Sequence, residues 1–304
     1  MTSKEINSEK PSRHDGDSWD LSRGVGATAT AVATSRALAT RAGLIDDPWA
    51  EPLVKAVGME HFLAILDGRP AADDGGVARM ANGMAARTKY FDAFLDDCAA
   101  AGIRQIVILA SGLDARAYRL PWPAGTVVFD LDQAAVIDFK AATMRALAAR
   151  PTAAVRNVGV DLRDDWPAAL AAHGFDPGAK TAWIAEGLLM YLPPDAQDRL
   201  FDHINELSPA GSRLATEFMP SMDAFTPDQD ETDDRWRRMG FKDDLAGLVY
   251  AGERSHVIEY LQGLGWAVHG SLVNELLDEY GLERQEDAMT EKFAGFQYIS
   301  ATRG

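Results

Sequence analysis

The chain has 304 residues, enough for one large α/β domain or two smaller ones, and its 47% hydrophobic content supplies a sizeable core. Thirty lysines and arginines against 46 aspartates and glutamates leave a net charge of −16 with no Lys/Arg cluster, which argues against a nucleic-acid or anionic membrane partner. A single cysteine, Cys98, excludes an intramolecular disulfide and a thiolate cluster, and six histidines scattered without H-x-x-x-H spacing give a metal little support.

Residues 1–20 read as a disordered polar tail without the apolar stretch of a secretion signal. No later run approaches the roughly 18 apolar residues of a membrane span, so the expectation is a cytoplasmic protein. Residues 21–101 read as a helical cap or lid, Ala-rich and broken at Asp46-Asp47-Pro48, Gly68-Arg69-Pro70 and Gly75-Gly76. Met80, Met84, Tyr90, Phe91, Phe94 and Leu95 recur there at helical spacing as a core face, on a helix that Arg87 and Lys89 interrupt just before the first strand. From residue 102 strands and helices alternate. The predicted elements are strands ending at Ala110, 126–131, 154–160, Thr181–Ala185 and Arg213–Phe218, with helices from Gln133 to Ala149 and from Asp195 to Leu207. Such alternation predicts a mostly parallel sheet of about seven strands with helices on both faces. An acidic segment at about 219–252 breaks the rhythm and reads as an insertion, lid or solvated face. A helix Ser255–Gly263, a strand Trp266–His269, a short helix Leu272–Tyr280 and a last strand Phe296–Ala301 close the core.

The chemistry gathers at strand ends. The run Ile106-Val107-Ile108-Leu109-Ala110 stops at Ser111-Gly112, where a lone glycine lets backbone approach a ligand at the carboxyl end of a buried strand. Asp132 closes the next run and follows Gly112 at the spacing of about 20 residues at which an acid reaches ribose hydroxyls. Asp130 points to the same side of that strand, so either acid could take the ribose. Asp161 ends a third run. The G-x-G-x-x-G of dinucleotide sites is missing, and Asp114 beside the loop disfavours a pyrophosphate. Three acids and one glycine suit a cationic nucleoside without phosphate, and S-adenosylmethionine fits that description.

The stretches Gly24-Val25-Gly26-Ala27-Thr28-Ala29 with Arg36-Ala37, Ala86-Arg87-Thr88-Lys89-Tyr90-Phe91-Asp92, Gly112-Leu113-Asp114-Ala115-Arg116, Asp130-Leu131-Asp132-Gln133 and Ala185-Glu186-Gly187-Leu188-Leu189-Met190-Tyr191-Leu192 resemble the leucine carboxyl methyltransferase superfamily, in its actinobacterial branch. The resemblance implies a Rossmann-like class I methyltransferase sheet with S-adenosyl-L-methionine as cofactor. It further implies that Arg87 meets the cofactor's carboxylate, Gly112 lies against its methionine, Asp132 holds the ribose, Asp161 with Leu162 frames the adenine, and Glu186 lies near the methionine end. The structural alternatives are pairing of Arg87 with Asp92 or a helix carboxylate, and helix or turn capping by Asp161 and Glu186.

In-line methyl transfer depends chiefly on alignment, and a carboxylate acceptor, ionised at neutral pH, needs no general base. With no base–nucleophile constellation in the chain, the expected activity is O-methylation of a small-molecule carboxylate or hydroxyl, the carboxylate being favoured. A nicotinamide-dependent oxidoreductase and a non-catalytic S-adenosylmethionine sensor are the competing readings.

Overall fold

The computed structural model describes residues 21, 24–69, 74–219, 249–250, 253–284 and 295–304. The expected tail at 1–20, and all of the expected insertion except residues 219 and 249–250, lie outside the described residues.

Four helices come first: α1 (Gly24–Arg41), α2 (Ala50–Val57), α3 (Glu60–Leu66) and α4 (Asp74–Ala100). Then follow β1 (Gln105–Ile108), α5 (Arg116–Arg119), β2 (Val127–Asp132), α6 (Ala134–Ala146), β3 (Ala154–Gly159), α7 (Trp166–Ala172), β4 (Thr181–Ala185), α8 (Pro194–Glu206) and β5 (Arg213–Phe218). The last elements are α9 (Val257–Gly263), β6 (Trp266–Leu272), α10 (Val273–Glu279) and β7 (Gln297–Arg303). The strands form one seven-stranded sheet in the order β3-β2-β1-β4-β5-β7-β6. β1 to β5 pair in parallel, while β7 runs antiparallel to both β5 and β6. The predicted alternation therefore holds, with antiparallel pairing confined to the two ladders of β7.

Period-two alternation divides the core. Val107, Leu109, Phe129, Leu131, Trp183 and Leu214 face one side with Trp166, Phe175 and Phe201. Ile106, Ile108, Val128, Ala182, Ile184 and Ala215 face the other, packed against Phe91, Phe94, Leu95 and Cys98 of α4. Helix α4 thus covers the sheet directly. Two expectations about it need correction: Gly75-Gly76 fall in its first turn rather than at a break, and it runs through Arg87 and Lys89 uninterrupted. Glycine's helix penalty is backbone entropy of about 1 kcal/mol relative to Ala, which the long stretch that follows, packed on the sheet, outweighs. Helices α1 to α3 form a third cluster through Ala33, Leu53 and Phe62, seated on Leu113, Val136 and Met144. The N-terminal helices therefore rest on the loop after β1 and on α6, over the carboxyl ends of the parallel strands.

Candidate functional site

The loop after β1 is built for close approach. Gly112 has φ +48, and a Cβ there would lie 3.1 Å from the Cβ of Ala29 on α1, so a side chain would push α1 off the loop. Its N–H donates to Asp132 Oδ2 at 2.7 Å, while Gln133 N–H donates to Asp132 Oδ1 at 2.7 Å. Each oxygen of Asp132 keeps a lone pair for a ligand. Burial raises its pKa above the usual carboxylate range despite those two donors. Asp130, only 1% exposed, pairs instead with Lys140 Nζ at 2.8 Å. Lys140 also donates to Ser111 Oγ at 3.0 Å and to the Asp114 carbonyl at 3.2 Å, so the pair forms the floor of the loop. Of the two acids left open by the sequence, Asp132 lines the cavity and Asp130 is sealed beneath it.

That cavity, about 520 Å3 in volume, runs along the strand ends from Asp132 at β2 past Gly112 and Glu186 to Glu217 at β5 and Tyr298 at β7. Helix α1 contributes Ala29 and Arg36 to its walls, α4 contributes Met84 and Arg87, and α10 contributes Asn274. Arg36 ties α1 down by donating to the Leu113 carbonyl at 2.8 Å and pairing with Asp47 at 3.1 Å.

Around Arg87 the buried charges interlock. Its Nε lies 2.8 Å from Glu186 Oε1 and 2.7 Å from Glu217 Oε1, and its Nη2 donates to Glu217 Oε2 at 3.1 Å. These Nε contacts are ion pairs only: Arg87 Nε, Glu186 Oε1 and Glu217 Oε1 all lack hydrogen-bond geometry. Glu186 has a second cation, since Arg116 Nη1 donates to its Oε2 at 2.7 Å. Arg116 also pairs with Asp114 and, at 2.8 Å, with Asp92, which Arg119 grips at 2.7 Å. Burial pushes the Glu186 pKa up, but Arg116 and Arg87 outweigh it and hold the group ionised; burial lifts Glu217, with one arginine, to about 7. Gly187 is indispensable to this packing: its N–H donates to Glu217 Oε2 at 2.8 Å, its φ is +64, and a Cβ there would stand 2.6 Å from Arg87 Nη2.

Arg87, Gly112, Asp132 and Glu186 thus share one cavity, as the sequence suggested, but Asp161 and Leu162 do not line it. The Asp161 carboxylate accepts from Gln133 Nε2 at 2.9 Å and from Arg163 Nη2 at 2.7 Å, while Leu162 packs against the sheet core. The capping alternatives fail: Asp165 caps α7 by accepting from Ala168 N–H, and Glu186 pairs with arginines. The pairing of Arg87 with Asp92 fails too, because Arg116 and Arg119 occupy that acid. Asp114 is no bare anion. Although burial opposes ionisation, Arg116, Arg36 and Lys140 hold its pKa near about 2, so its disfavour toward a pyrophosphate loses force. Glu217 escaped the sequence reading altogether; the available signal was an acid near the carboxyl end of the fifth parallel strand. Among the described residues, no group of three or more His, Cys, Asp or Glu side chains is placed to hold a metal, and no helix is long and apolar enough to cross a membrane.

The sheet order with its antiparallel β7, and a cavity over the carboxyl ends of β1, β2, β4 and β5, define a methyltransferase of the Rossmann-like seven-strand class. The sequence model of the leucine carboxyl methyltransferase family matches residues 29–205, and the chain belongs to that family. A Mycobacterium avium (strain 104) protein is 54% identical over 299 residues, covering 95% of this chain and 98% of its own. A Mycolicibacterium gilvum (strain PYR-GCK) protein is 52% identical over 309 residues, covering 96% and 99%. Both carry the name "Putative S-adenosyl-L-methionine-dependent methyltransferase". The crystal structure of a "putative methyltransferase" from Thermobifida fusca YX has the same fold, with a TM-score of 0.51 at 17% identity over 94% of this chain and 97% of that one.

Proposed function

We propose that the chain methylates an oxygen of a small molecule, a carboxylate or a hydroxyl, with S-adenosyl-L-methionine as methyl donor. The observation that carries this reading is the single cavity joining an acid with free lone pairs, Asp132, to the Arg87–Glu186 pair. The residues fit the donor. Asp132 accepts from the ribose hydroxyls, the Gly112 backbone lies against the methionine chain, Arg87 bonds the α-carboxylate and Glu186 the ammonium. When bound, the donor supplies a methyl group activated by its sulfonium. The protein's own task is alignment and exclusion of water, for which the helices over the strand ends are suited.

The acceptor half lies toward β5, β7 and α10, where Met190, Val273, Leu277 and Phe296 line the cavity and favour an apolar body. The family's name supports a carboxylate head, and such an acceptor needs no base. Nucleic acid and membrane are not partners in this reading, given the charge of −16. Calorimetry with S-adenosylmethionine, S-adenosylhomocysteine and NAD tests the cofactor: the first two bind and NAD does not compete. Labelled-methyl transfer into fractionated metabolites then tests the chemistry. A methyl ester that releases methanol in mild alkali supports the carboxylate, an alkali-stable ether replaces it with a hydroxyl, and binding without any turnover leaves a sensor.

A further inference from the structure

The arginines and carboxylates beside the cavity form one connected chain. Asp47 links Arg36 (3.1 Å) to Arg119 (3.8 Å), and Asp92 links Arg119 (2.7 Å) to Arg116 (2.8 Å). Arg116 holds Asp114 and Glu186, and Arg87 joins Glu186 (2.8 Å) to Glu217 (2.7 Å). Four arginines face five carboxylates, so the chain carries one negative charge in excess. Glu217 stands at its end, with Arg87 as its sole ion-pair partner among the described residues.

A cofactor whose α-carboxylate bonds Arg87 makes that guanidinium, which carries five N–H donors but a single charge, serve a third carboxylate. One positive charge then answers three carboxylates, and the protein carboxylate without a second cation is the one left under-compensated. Glu186 keeps Arg116 and, in the reading above, gains the cofactor's ammonium; Glu217 has only its share of Arg87 and the Gly187 N–H, in a site where it is 6% exposed. An uncompensated buried carboxylate takes up a proton. We infer that Glu217 is a cofactor-gated proton acceptor: carboxylate binding at Arg87 weakens that cation's hold on it, and it becomes a neutral acid whose O–H donates to an anionic acceptor entering second. This rests on the cofactor reading above and extends it to a specificity device. Before the cofactor binds, the acceptor end presents like charge to a carboxylate; afterwards it presents a donor. The groups facing Glu217 are Arg87 and Tyr90 from α4, Arg116 from α5, Glu186 from the turn after β4, and Tyr298 from β7. Burial raises both phenols above their ordinary range, so neither titrates near neutrality in its place. Methyl transfer itself then forms the ester O–C bond and breaks the S–C bond with no proton exchanged, and the proton taken from solvent returns there when the ligands leave.

The test is calorimetry of S-adenosylhomocysteine binding to the full chain in buffers of different ionisation enthalpy. From a free-state value of about 7, uptake should be about 0.7 proton per ligand at pH 7.5, shrinking to about 0.1 at pH 6. Affinity should fall about fivefold between pH 7 and pH 8. Glu217→Gln, neutral from the start, should bind with no uptake and a flat profile over that interval, while Glu186→Gln should retain uptake. Uptake below about 0.2 proton in the parent at pH 7.5, or equal uptake in Glu217→Gln, overturns the inference while leaving the cofactor reading intact. No binding of the ligand at all overturns both. As an acceptor probe, decanoate should bind the S-adenosylhomocysteine complex at least tenfold more tightly than the free protein. Decanol should show no such gain. Decanoate binding that is undetectable, or no tighter in the complex, overturns the acceptor selectivity.

Discussion

Asp130 and Asp132 differ by two residues on one strand and have opposite jobs, so replacing each by Ala should separate affinity from stability. Asp132→Ala removes the acceptor for the ribose hydroxyls; hydrogen bonds to a charged group are worth about 1.5–3 kcal/mol, or roughly ten- to a hundredfold in affinity. It also strands the Gly112 and Gln133 N–H groups, now bonded at 2.7 Å, costing about 1–3 kcal/mol of stability. Asp130→Ala leaves Lys140 buried with only Ser111 Oγ and the Asp114 carbonyl as partners. Breaking a buried ion pair costs about 3–5 kcal/mol, or at about 2 °C per kcal/mol for a chain this long, roughly 6–10 °C in Tm. Calorimetry with S-adenosylhomocysteine should therefore show weak binding for Asp132→Ala and binding within about threefold of the parent for Asp130→Ala. Thermal unfolding should rank them the other way, with Asp130→Ala the less stable. If Asp130→Ala loses tenfold or more in affinity while Asp132→Ala binds like the parent, the assignment is refuted.

Gly187→Ala should drive the Arg87 guanidinium aside and weaken S-adenosylhomocysteine binding about tenfold by calorimetry, whereas Gly102→Ala, with φ +85 and open space around it, should cost only stability. Hydrogen exchange should show protection gained over Gly24–Arg36 and around Arg87 when S-adenosylhomocysteine binds; protection confined to 110–162 would reduce those helices to a static extension. Because burial raises the folded pKa of Glu217 to about 7 from an ordinary 4.5, its contribution to stability is complete below about pH 4.5 and is lost as pH rises through 7. The ligand-free protein should lose on the order of 3 kcal/mol across that window, and Glu217→Gln should flatten the loss in thermal melts.

Much of the fold was legible because each buried parallel strand is a short apolar run, and a run ending in Gly112, Asp132 or Glu186 announces the ligand side of the sheet. Boundaries were less legible. Strand β1 stops at Ile108, two residues before its apolar run does, because the backbone turns at Ala110, whose φ is +50. Alternation put Asp130 and Asp132 on the same side of β2, and what separates them is Lys140 from the following helix, a contact no strand pattern encodes. The arginine chain was invisible for a similar reason. Arg87 meets Glu217 across 130 residues of sequence, and an acid next to Phe218 at a strand end reads as ordinary polar punctuation.

The position of β7 governs the order in which the molecule can be assembled. Of the seven strands, the one synthesised last is not an edge strand but lies between β5 and β6, and it supplies Tyr298 to the cavity wall. Until Gln297–Arg303 have been synthesised, β6 has no strand to pair with and β5 ends the sheet with an unsatisfied edge. The half-made protein therefore exposes an aggregation-prone edge beside a cofactor pocket lacking one wall, and a chain cut at residue 296 carries both defects permanently.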